Sequence, residues 1–358
     1  MRVVTVLGAR PQFIKAAPVS KALRSQGITE IIVHTGQHYD PRMSQVFFDE
    51  LGIPEPDANL HVGSGELSEQ LAKMLIGLDG VLRRYNPDGV LVYGDTNSTL
   101  AGAIAAANLL VPVAHVEAGL RSYNRRMPEE RNRIVTDSLS SLLLVPTETA
   151  FNNLRREGIE SRRIINVGDV MYDAALHFAR RSRNDGGIVQ ELSLAKGQYI
   201  LATVHRAENT DDVSRLEAIW NGLELVGRDI PVVWPVHPRT RKLLQAKESI
   251  GVQIIDPVGY LDMLRLEENA ALIVTDSGGV QKEAFFHRVP CVTLRDETEW
   301  TELVDLNWNR LCPPNDPYNI HRAVLGAIGS VGQDASPYGD GNAAARIACA
   351  LGNGLALA

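Results

Sequence analysis

The sequence has few cysteines, and their placement excludes two kinds of protein. The 358 residues include three, Cys291, Cys312 and Cys349, which are far apart and form no C-x-x-C pair. An odd, scattered set is not a disulfide framework and has no zinc-ligand spacing. These thiols therefore indicate a reducing compartment, the cytoplasm, and give no signal for a metal.

The chain also lacks a long apolar run, a basic excess and a dinucleotide fingerprint. The Ala-rich segment of residues 100–114 is interrupted by Asn108 and Pro112, so it does not predict a membrane span. The net charge of −7 disfavours nucleic acid or an anionic membrane as the main partner. The glycine pair Gly278-Gly279 does not have the G-x-G-x-x-G spacing of a dinucleotide site.

What the chain does contain is a repeated alternation of strand and helix signals. Its 44% hydrophobic and 22% charged residues are typical of a globular protein, and its length predicts about two domains. In the first half we predict strands at Val3–Leu7, Glu30–His34, Gly89–Tyr93, Val111–His115 and Leu142–Val145, with helices near Met43–Leu51, Leu67–Tyr85, Ser98–Leu109 and residues 129–140. This order predicts a parallel sheet with helices on both faces.

The same pattern restarts after a polar segment. Arg180–Gly197, rich in charge and glycine, is predicted to be a loop or hinge, and the next strands are predicted at Tyr199–Thr203, Pro231–Val236, Val252–Ile255, Leu272–Thr275 and Cys291–Leu294. The fold class is therefore α/β with two doubly wound halves. We expect the carboxyl ends of both sheets to line one central cleft, where open α/β sheets bind ligands.

The segment from Ala271 to His287 predicts a phosphate site. A short apolar strand ends at Thr275, Asp276 and Ser277 can cap the following helix, and Gly278-Gly279 lets a ligand approach the backbone. The unpaired N–H groups at such a helix start bind phosphate. Glu283 lies one turn further on, where its carboxylate could meet a ribose. The alternative is an ordinary capped turn between strand and helix.

Charged side chains follow several other predicted strands. They are Arg10 and Lys15 after the first strand, Asp95, Glu117, the helix-start pair Glu129 and Glu130, and His205 with Arg206. Taken singly, Asp95 could cap a helix, Glu129 could complement a helix dipole and His205 could be an ordinary polar residue. Taken together they place acids, bases and cations in one predicted cleft.

These stretches also resemble a known family. The segments are Gly8–Lys15, Gly94-Asp95-Thr96, His115–Arg121, Pro128-Glu129-Glu130, His205-Arg206, Pro235-Val236-His237, Thr275–Gly279 and Pro337–Gly341. In this order, and over nearly the whole chain, they resemble the non-hydrolysing UDP-N-acetylglucosamine 2-epimerases. The resemblance implies a GT-B-like arrangement of an N-terminal domain, residues 1–168, and a UDP-binding domain, residues 169–340. It also implies that the last helix, within residues 341–358, packs back on the first domain, and that the protein is a homodimer with no nicotinamide or metal cofactor.

The resemblance also implies roles for single residues. Asp95, Glu117 and Glu129 match the family's acid/base candidates, and His205 matches a further catalytic position. Those expected to hold the UDP-sugar are Arg10, Lys15, His237, Ser277, Gly278, Gly279 and Glu283. The implied reaction removes the C2 hydrogen together with UDP at C1, giving a 2-acetamidoglucal, and then adds UDP back with a proton on the opposite face of C2.

Departures from the family pattern leave the sugar open. Lys282, Phe285 and Ala207 differ from the usual residues, Thr298–Glu302 reads Thr-Glu-Trp-Thr-Glu, and the loop from Arg121 to Met127 carries Arg125 and Arg126. These changes resemble the branch that acts on UDP-2,3-diacetamido-2,3-dideoxyglucuronate, where the two arginines are candidates to bind a C6 carboxylate. The sequence is also compatible with a GT-B glycosyltransferase, a nucleotide-sugar sensor without turnover, and a hydrolysing epimerase.

Overall fold

The protein divides into two compact units, each with its own parallel sheet. The computed structural model describes residues 1–37, 52–182, 187–236, 238–244 and 250–354. Unit 1 comprises Met1–His177 and Ser336–Ala358, and unit 2 comprises Phe178–Ala335. The domain boundaries expected after residues 168 and 340 stay a prediction.

The sheet of unit 1 has seven parallel strands. They are β1 (Arg2–Leu7), β2 (Thr29–His34), β3 (Ala58–Asn59), β4 (Gly89–Tyr93), β5 (Val113–Val116), β6 (Leu142–Val145) and β7 (Ile164–Asn166). Their order is β3-β2-β1-β4-β5-β6-β7, so the chain builds outward from β1 in one direction and then returns to β4. Because such crossovers are right-handed, this reversal places helices on opposite faces and opens a crevice between the ends of β1 and β4.

The helices of unit 1 cover this sheet. They are α1 (Arg10–Ser25), α2 (Leu67–Tyr85), α3 (Asn97–Asn108), α4 (Pro128–Leu139), α5 (Glu148–Arg156) and α6 (Val170–Ser182), whose last residues belong to unit 2. Met74, Leu78 and Leu82 of α2 are buried one turn apart, as expected for an amphipathic helix. In α3, a Cβ on Gly102 would lie 2.8 Å from Val92 Cγ1, so glycine permits close packing of this helix on β4.

The sheet of unit 2 has six parallel strands with the same kind of reversal. They are β8 (Ile200–Thr203), β9 (Val232–Pro235), β10 (Val252–Ile255), β11 (Leu272–Thr275), β12 (Cys291–Thr293) and β13 (Asn309–Leu311), in the order β10-β9-β8-β11-β12-β13. The helices are α7 (Gly187–Glu191), α8 (Ala207–Thr210), α9 (Val213–Gly227), α10 (Pro238–Leu243), α11 (Tyr260–Asn269), α12 (Gly278–Phe286), α13 (Thr301–Asp305) and α14 (Pro317–Leu325). The crevice of this unit lies between the ends of β8 and β11.

The final helix, α15 (Ala343–Gly354), belongs to unit 1 and packs against α1. Its first N–H groups are capped from α6: Asp173 accepts hydrogen bonds from the backbone N–H of Ala343 at 3.0 Å and of Ala344 at 2.8 Å. A carboxylate at a helix N-terminus satisfies donors that have no partner within the helix. This cap fixes the start of the last helix on unit 1.

The α/β class with two doubly wound sheets is confirmed, but the segment between the halves is partly wrong. The predicted loop Arg180–Gly197 contains the end of α6 and all of α7, because charged residues such as Arg180 and Glu191 occupy helices. The predicted helix Met43–Leu51 lies outside the described residues. The strands without a prediction, β3, β7 and β13, are all at sheet edges, where strands are short and their apolar signal is weak. In the described part of the chain, no helix is long and apolar enough to span a membrane.

Candidate active site

The crevice of unit 1 is held together by Gln12 of α1. Its side-chain oxygen accepts hydrogen bonds from the N–H groups of Gly8 at 2.8 Å and Ala9 at 3.0 Å. Its amide nitrogen donates to the Tyr93 carbonyl and to Thr99 Oγ, both at 2.9 Å. One buried side chain thus joins the loop after β1 to the end of β4 and to the first turn of α3, and so fixes the two edges of the crevice.

Lys15 and Glu117 form a buried ion pair in this unit. Their side chains are 10% and 7% exposed, and the Lys15 ammonium donates to Glu117 Oε2. Glu117, directly after β5, has a φ of +71°, a left-handed conformation that costs a non-glycine residue about 1–3 kcal/mol. Its N–H donates to the Leu144 carbonyl of β6 at 3.0 Å, which supports this backbone. Local strain of this kind is typical of functional positions.

Asp95 follows β4 and lies among four other charges. Its carboxylate accepts a hydrogen bond from Arg133 Nη1 at 2.9 Å, and its side chain is about one third exposed. Desolvation by the surrounding protein raises the pKa of Asp95 above its ordinary value of 3.8. The charges of Arg133 and Lys15 lower this pKa, and those of Glu129 and Glu117 raise it further. Because the charges of Glu129, Glu117 and Lys15 all act on Asp95, unit 1 brings together the three carboxylates that the sequence pointed to. Asp95 is not the helix cap, since Thr96 caps α3.

Glu130, next to Glu129, has a structural role. It is buried and accepts hydrogen bonds from Ser122 N–H at 3.0 Å, Tyr123 N–H at 2.9 Å and Arg133 Nε at 2.9 Å. These bonds fix the first residues of the loop before α4. Glu129, in contrast, is partly exposed and therefore available for chemistry.

In unit 2, Asp276 organises the crevice between β8 and β11. This fully buried carboxylate accepts hydrogen bonds from the N–H of His205 at 3.1 Å, the N–H of Arg206 at 3.0 Å and Asn209 Nδ2 at 3.0 Å. His205 Nδ1 lies 3.3 Å from it, and the imidazole is 56% exposed. The prediction that Asp276 caps α12 is therefore wrong. Asp276 instead holds the His205 loop, with the imidazole ring accessible to a ligand.

The start of α12 has the geometry of an anion site. Ser277 Oγ accepts from Val280 N–H at 3.4 Å, which satisfies one of the first N–H groups of the nine-residue helix. A Cβ on Gly279 would have no neighbour closer than 3.8 Å, whereas one on Gly278 would lie 2.6 Å from Glu299 Oε1. A side chain at 278 would thus displace the Glu299 carboxylate, whereas the backbone at 279 stays open. Glu283 lies one turn further on and is 5% exposed.

The comparisons with known proteins agree with this geometry. Residues 21–352 match the family described as UDP-N-acetylglucosamine 2-epimerase. The chain belongs to that family. It is thus an epimerase, which is an isomerase.

Two relatives illustrate the spread within the epimerase family. One is the UDP-2,3-diacetamido-2,3-dideoxy-D-glucuronate 2-epimerase of Pseudomonas aeruginosa, 50% identical over 97% of this chain and 98% of that protein. The other is the Methanocaldococcus jannaschii UDP-GlcNAc 2-epimerase, solved in complex with UDP-GlcNAc and UDP. It is 44% identical, with a TM-score of 0.93 over 99% of this chain and 100% of that one. The names of these two relatives thus give two different UDP-sugars.

Trp300, one of the positions that depart from the epimerase pattern, lies beside Gly278, where a Cβ would be 3.3 Å from its Nε1. Arg295 Nη1 donates to Glu299 Oε2 at 2.9 Å, and both side chains are buried. The Lys282 ammonium lies 4.0 Å from the centre of the Trp300 ring, a cation–π contact. Glu299 and Trp300 thus lie against the start of α12.

The structure leaves some predicted epimerase residues without a description. Arg10 is the first residue of α1, but its side chain is not described, and His237 lies outside the described residues. Arg125 and Arg126 are both exposed. Within the described ranges, no group of three or more His, Cys, Asp or Glu side chains is arranged to hold a metal ion.

Sequence reasoning missed the residues that hold the others. Gln12, Arg133 and Asp276 each hold a segment that is distant in the chain, and the first two were not singled out. A usable signal was a polar side chain on a helix face that packs against a sheet. Such a residue must find a partner when buried.

Proposed function

We propose that the protein interconverts a UDP-2-acetamido sugar and its C2 epimer, of the UDP-N-acetylglucosamine to UDP-N-acetylmannosamine type. The observation that supports this most is the grouping of Glu117 and Glu129 around Asp95, together with two cations, in the crevice of unit 1. Proton transfer at both faces of one carbon needs more than one acid/base group. A protein that only binds a nucleotide-sugar has no use for such a set.

The chemistry explains why UDP has to leave. The C2 hydrogen of a 2-acetamido sugar is not next to a carbonyl, so its removal alone gives no stabilised anion. Loss of UDP from C1 together with that hydrogen, in an anti elimination, forms a 2-acetamidoglucal instead. UDP then adds back to C1 while C2 receives a proton on its other face. Carboxylates close to one another can separate their pKa values, so that one is protonated while another is ionised.

In this proposal unit 2 holds the UDP through both steps. The N-terminus of α12 offers backbone N–H groups and a positive dipole end to a phosphate. His205, which Asp276 fixes in place, can stabilise the charge that develops on the leaving diphosphate. Arg10, Lys15, His237 and Glu283 are proposed as further UDP-sugar contacts on the strength of the family motifs.

The test is proton NMR of UDP-N-acetylglucosamine with the pure protein in D₂O. We expect deuterium at C2 and UDP attached to both epimers. Asp95→Asn, Glu117→Gln and Glu129→Gln should each lower kcat by about two orders of magnitude or more, as removal of a general acid or base does. The control is Glu69→Gln, the same change at an exposed ion pair with Lys73. Stoichiometric free N-acetylmannosamine, or full activity in all three variants, would contradict the proposal.

A second candidate is the same reaction on UDP-2,3-diacetamido-2,3-dideoxyglucuronate. Arg125 and Arg126 are exposed on a loop whose first residues are held by hydrogen bonds to Glu130. Two guanidinium groups therefore face solvent from a loop whose start is fixed. An Arg fork binds a carboxylate with two hydrogen bonds. The Pseudomonas aeruginosa relative, 50% identical, carries this substrate in its name.

The two sugars are separated by a double substitution. Arg125→Ala with Arg126→Ala should weaken a uronate substrate by about 2 kcal/mol or more and leave a neutral UDP-sugar nearly unchanged. The matched control is Arg83→Ala with Arg84→Ala, two adjacent exposed arginines at the end of α2. If wild-type protein epimerises UDP-N-acetylglucosamine efficiently and ignores the uronate, the second candidate is wrong.

Three further features are also proposals. We expect a homodimer, which light scattering coupled to size exclusion would show, and turnover without an added cofactor or metal, which dialysis against a chelator would leave intact. The free thiols Cys291, Cys312 and Cys349 support a cytoplasmic location.

A further inference from the structure

His115 has no role in the reaction as described so far, yet it is in contact with the loop of Asp95. It lies in β5, and its ring is fully buried. Nε2 is 2.7 Å from the Gly94 carbonyl oxygen, and Nδ1 is 2.7 Å from Asp137 Oδ1 of α4. His115 thus joins β5 to the residue after β4 and to α4 through specific hydrogen bonds, and does not only fill space in the core.

Both partners of the ring are hydrogen-bond acceptors. A carbonyl oxygen can only accept. Asp137 is an ionised acceptor, because its carboxylate also receives Arg121 Nη1 at 2.7 Å and the Gly119 N–H at 3.2 Å, and the Arg121 guanidinium is a permanent cation. Since a ring nitrogen without a proton would point its lone pair at an oxygen, both ring nitrogens of His115 must carry one.

The peptide that His115 holds is the one before Asp95. Gly94 has a φ of +63°, and a Cβ there would lie 3.2 Å from Glu117 Oε2 and 3.4 Å from Lys15 Nζ. The turn is thus pressed against the Lys15–Glu117 ion pair and leads directly into Asp95. The next carbonyl, that of Asp95, accepts from Asn132 Nδ2 at 2.9 Å. Successive carbonyls of the loop are therefore held from β5 and from α4.

We propose that His115 is a positioning residue, a doubly protonated imidazolium that Asp137 neutralises and that holds the Gly94 carbonyl so that Asp95 stays aligned with Glu117. The proposal rests on the proposed function, in which Asp95 touches the reacting atoms. His115 itself is separated from the substrate by the Gly94 peptide. Its effect should therefore appear in the rate of the chemical step and not in the binding of UDP.

Two amide substitutions distinguish the two hydrogen bonds that the ring makes. Gln Nε2 lies as many bonds from Cα as His Nε2, so His115→Gln can keep the bond to Gly94 and lose the one to Asp137. Asn Nδ2 corresponds to His Nδ1, so His115→Asn can keep the bond to Asp137 and lose the one to Gly94. Each variant removes one bond and the ring charge, which makes each the control for the other's loss of stability.

The expected result is a difference in kcat. His115→Asn should lower kcat about 100-fold, as a displacement of about 1 Å at a reacting group does, whereas His115→Gln should keep at least about tenfold more activity. KM and the affinity for UDP should be unchanged in both. Equal losses in the two variants, or a His115→Asn enzyme within about threefold of wild type, would overturn the proposal.

A second measurement does not depend on epimerase activity. In protein labelled with ¹⁵N-histidine, assigned by the loss of one signal in His115→Gln, the His115 ring should show two protonated nitrogens at neutral pH. One protonated nitrogen would overturn the assignment of the imidazolium even if the enzyme is active. Two protonated nitrogens in a protein without epimerase activity would support the ring's state and refute only the proposed function.

Discussion

Replacing Lys15 with methionine tests the buried ion pair of unit 1 most directly. Methionine has a similar length and no charge, so the substitution leaves the Glu117 carboxylate in a site where 7% of it is exposed. Removing one partner of a buried ion pair costs about 3–5 kcal/mol, because the remaining charge keeps its desolvation cost without compensation. We expect Lys15→Met to lower the free energy of unfolding by an amount in this range.

Urea unfolding followed by two signals measures this effect with an internal control. All four tryptophans, Trp220, Trp234, Trp300 and Trp308, lie in unit 2, whereas circular dichroism reports on both units. The shift should therefore be larger in circular dichroism than in tryptophan fluorescence if the units unfold separately. The size of the difference shows where the lost stability was located.

The double variant Lys15→Met with Glu117→Gln decides whether charge is the cause. An amide in place of the carboxylate removes the uncompensated charge, so the double variant should recover about 2 kcal/mol or more relative to Lys15→Met. A loss below about 1 kcal/mol in the single variant, or no recovery in the double one, would refute the reasoning.

The remaining predictions concern pH and the crevice of unit 2. Because the pKa of Asp95 is raised, the rate of a step that needs its ionised form should fall on the acid side with a midpoint above pH 3.8. Lys15→Met should move that midpoint higher, since the Lys15 charge lowers this pKa. A pH–rate profile checks both. Gly278→Ala should lower stability by about 1–3 kcal/mol through the 2.6 Å approach to a buried oxygen, whereas Gly279→Ala should leave thermal unfolding unchanged. Asp276→Asn should lower the free energy of unfolding by about 1–3 kcal/mol, because one of the two buried acceptor oxygens that bind N–H groups such as that of His205 is replaced by a donor. Calorimetry should also show weaker UDP binding. Equal melting temperatures in the two glycine variants, or unchanged UDP affinity in Asp276→Asn, would contradict these assignments.

The alternation of strand and helix signals was sufficient to predict the fold class. The central strands, such as Gly89–Tyr93, are apolar throughout because both faces are covered, so their signal is local and complete. The helix Leu67–Tyr85 was predicted with its observed bounds, since its buried residues recur at helical spacing. Edge strands such as β3 and β13 have no such pattern. They exist because a neighbouring strand offers hydrogen bonds, which the sequence of the segment does not show.

The candidate site was located by the sequence but organised by the tertiary structure. Residues at the ends of parallel strands meet at one edge, so Asp95 and Glu117 could be placed together from the order of the strands alone. Local pattern alone could not tell Glu129 from Glu130, two adjacent carboxylates at a helix start, and only the family resemblance favoured Glu129. The fold turns Glu130 inward to hold a loop and leaves Glu129 partly exposed.

What the sequence by itself determined is the order of the elements and the chemistry available at the strand ends, because both depend on local patterns. What only the tertiary structure decided is which polar groups are paired over long separations. Gln12 binds the end of β4, Arg133 binds Asp95, and Asp276 binds the His205 loop. These contacts join residues far apart in the chain, and burial makes each of them necessary, since a buried polar group without a partner is costly.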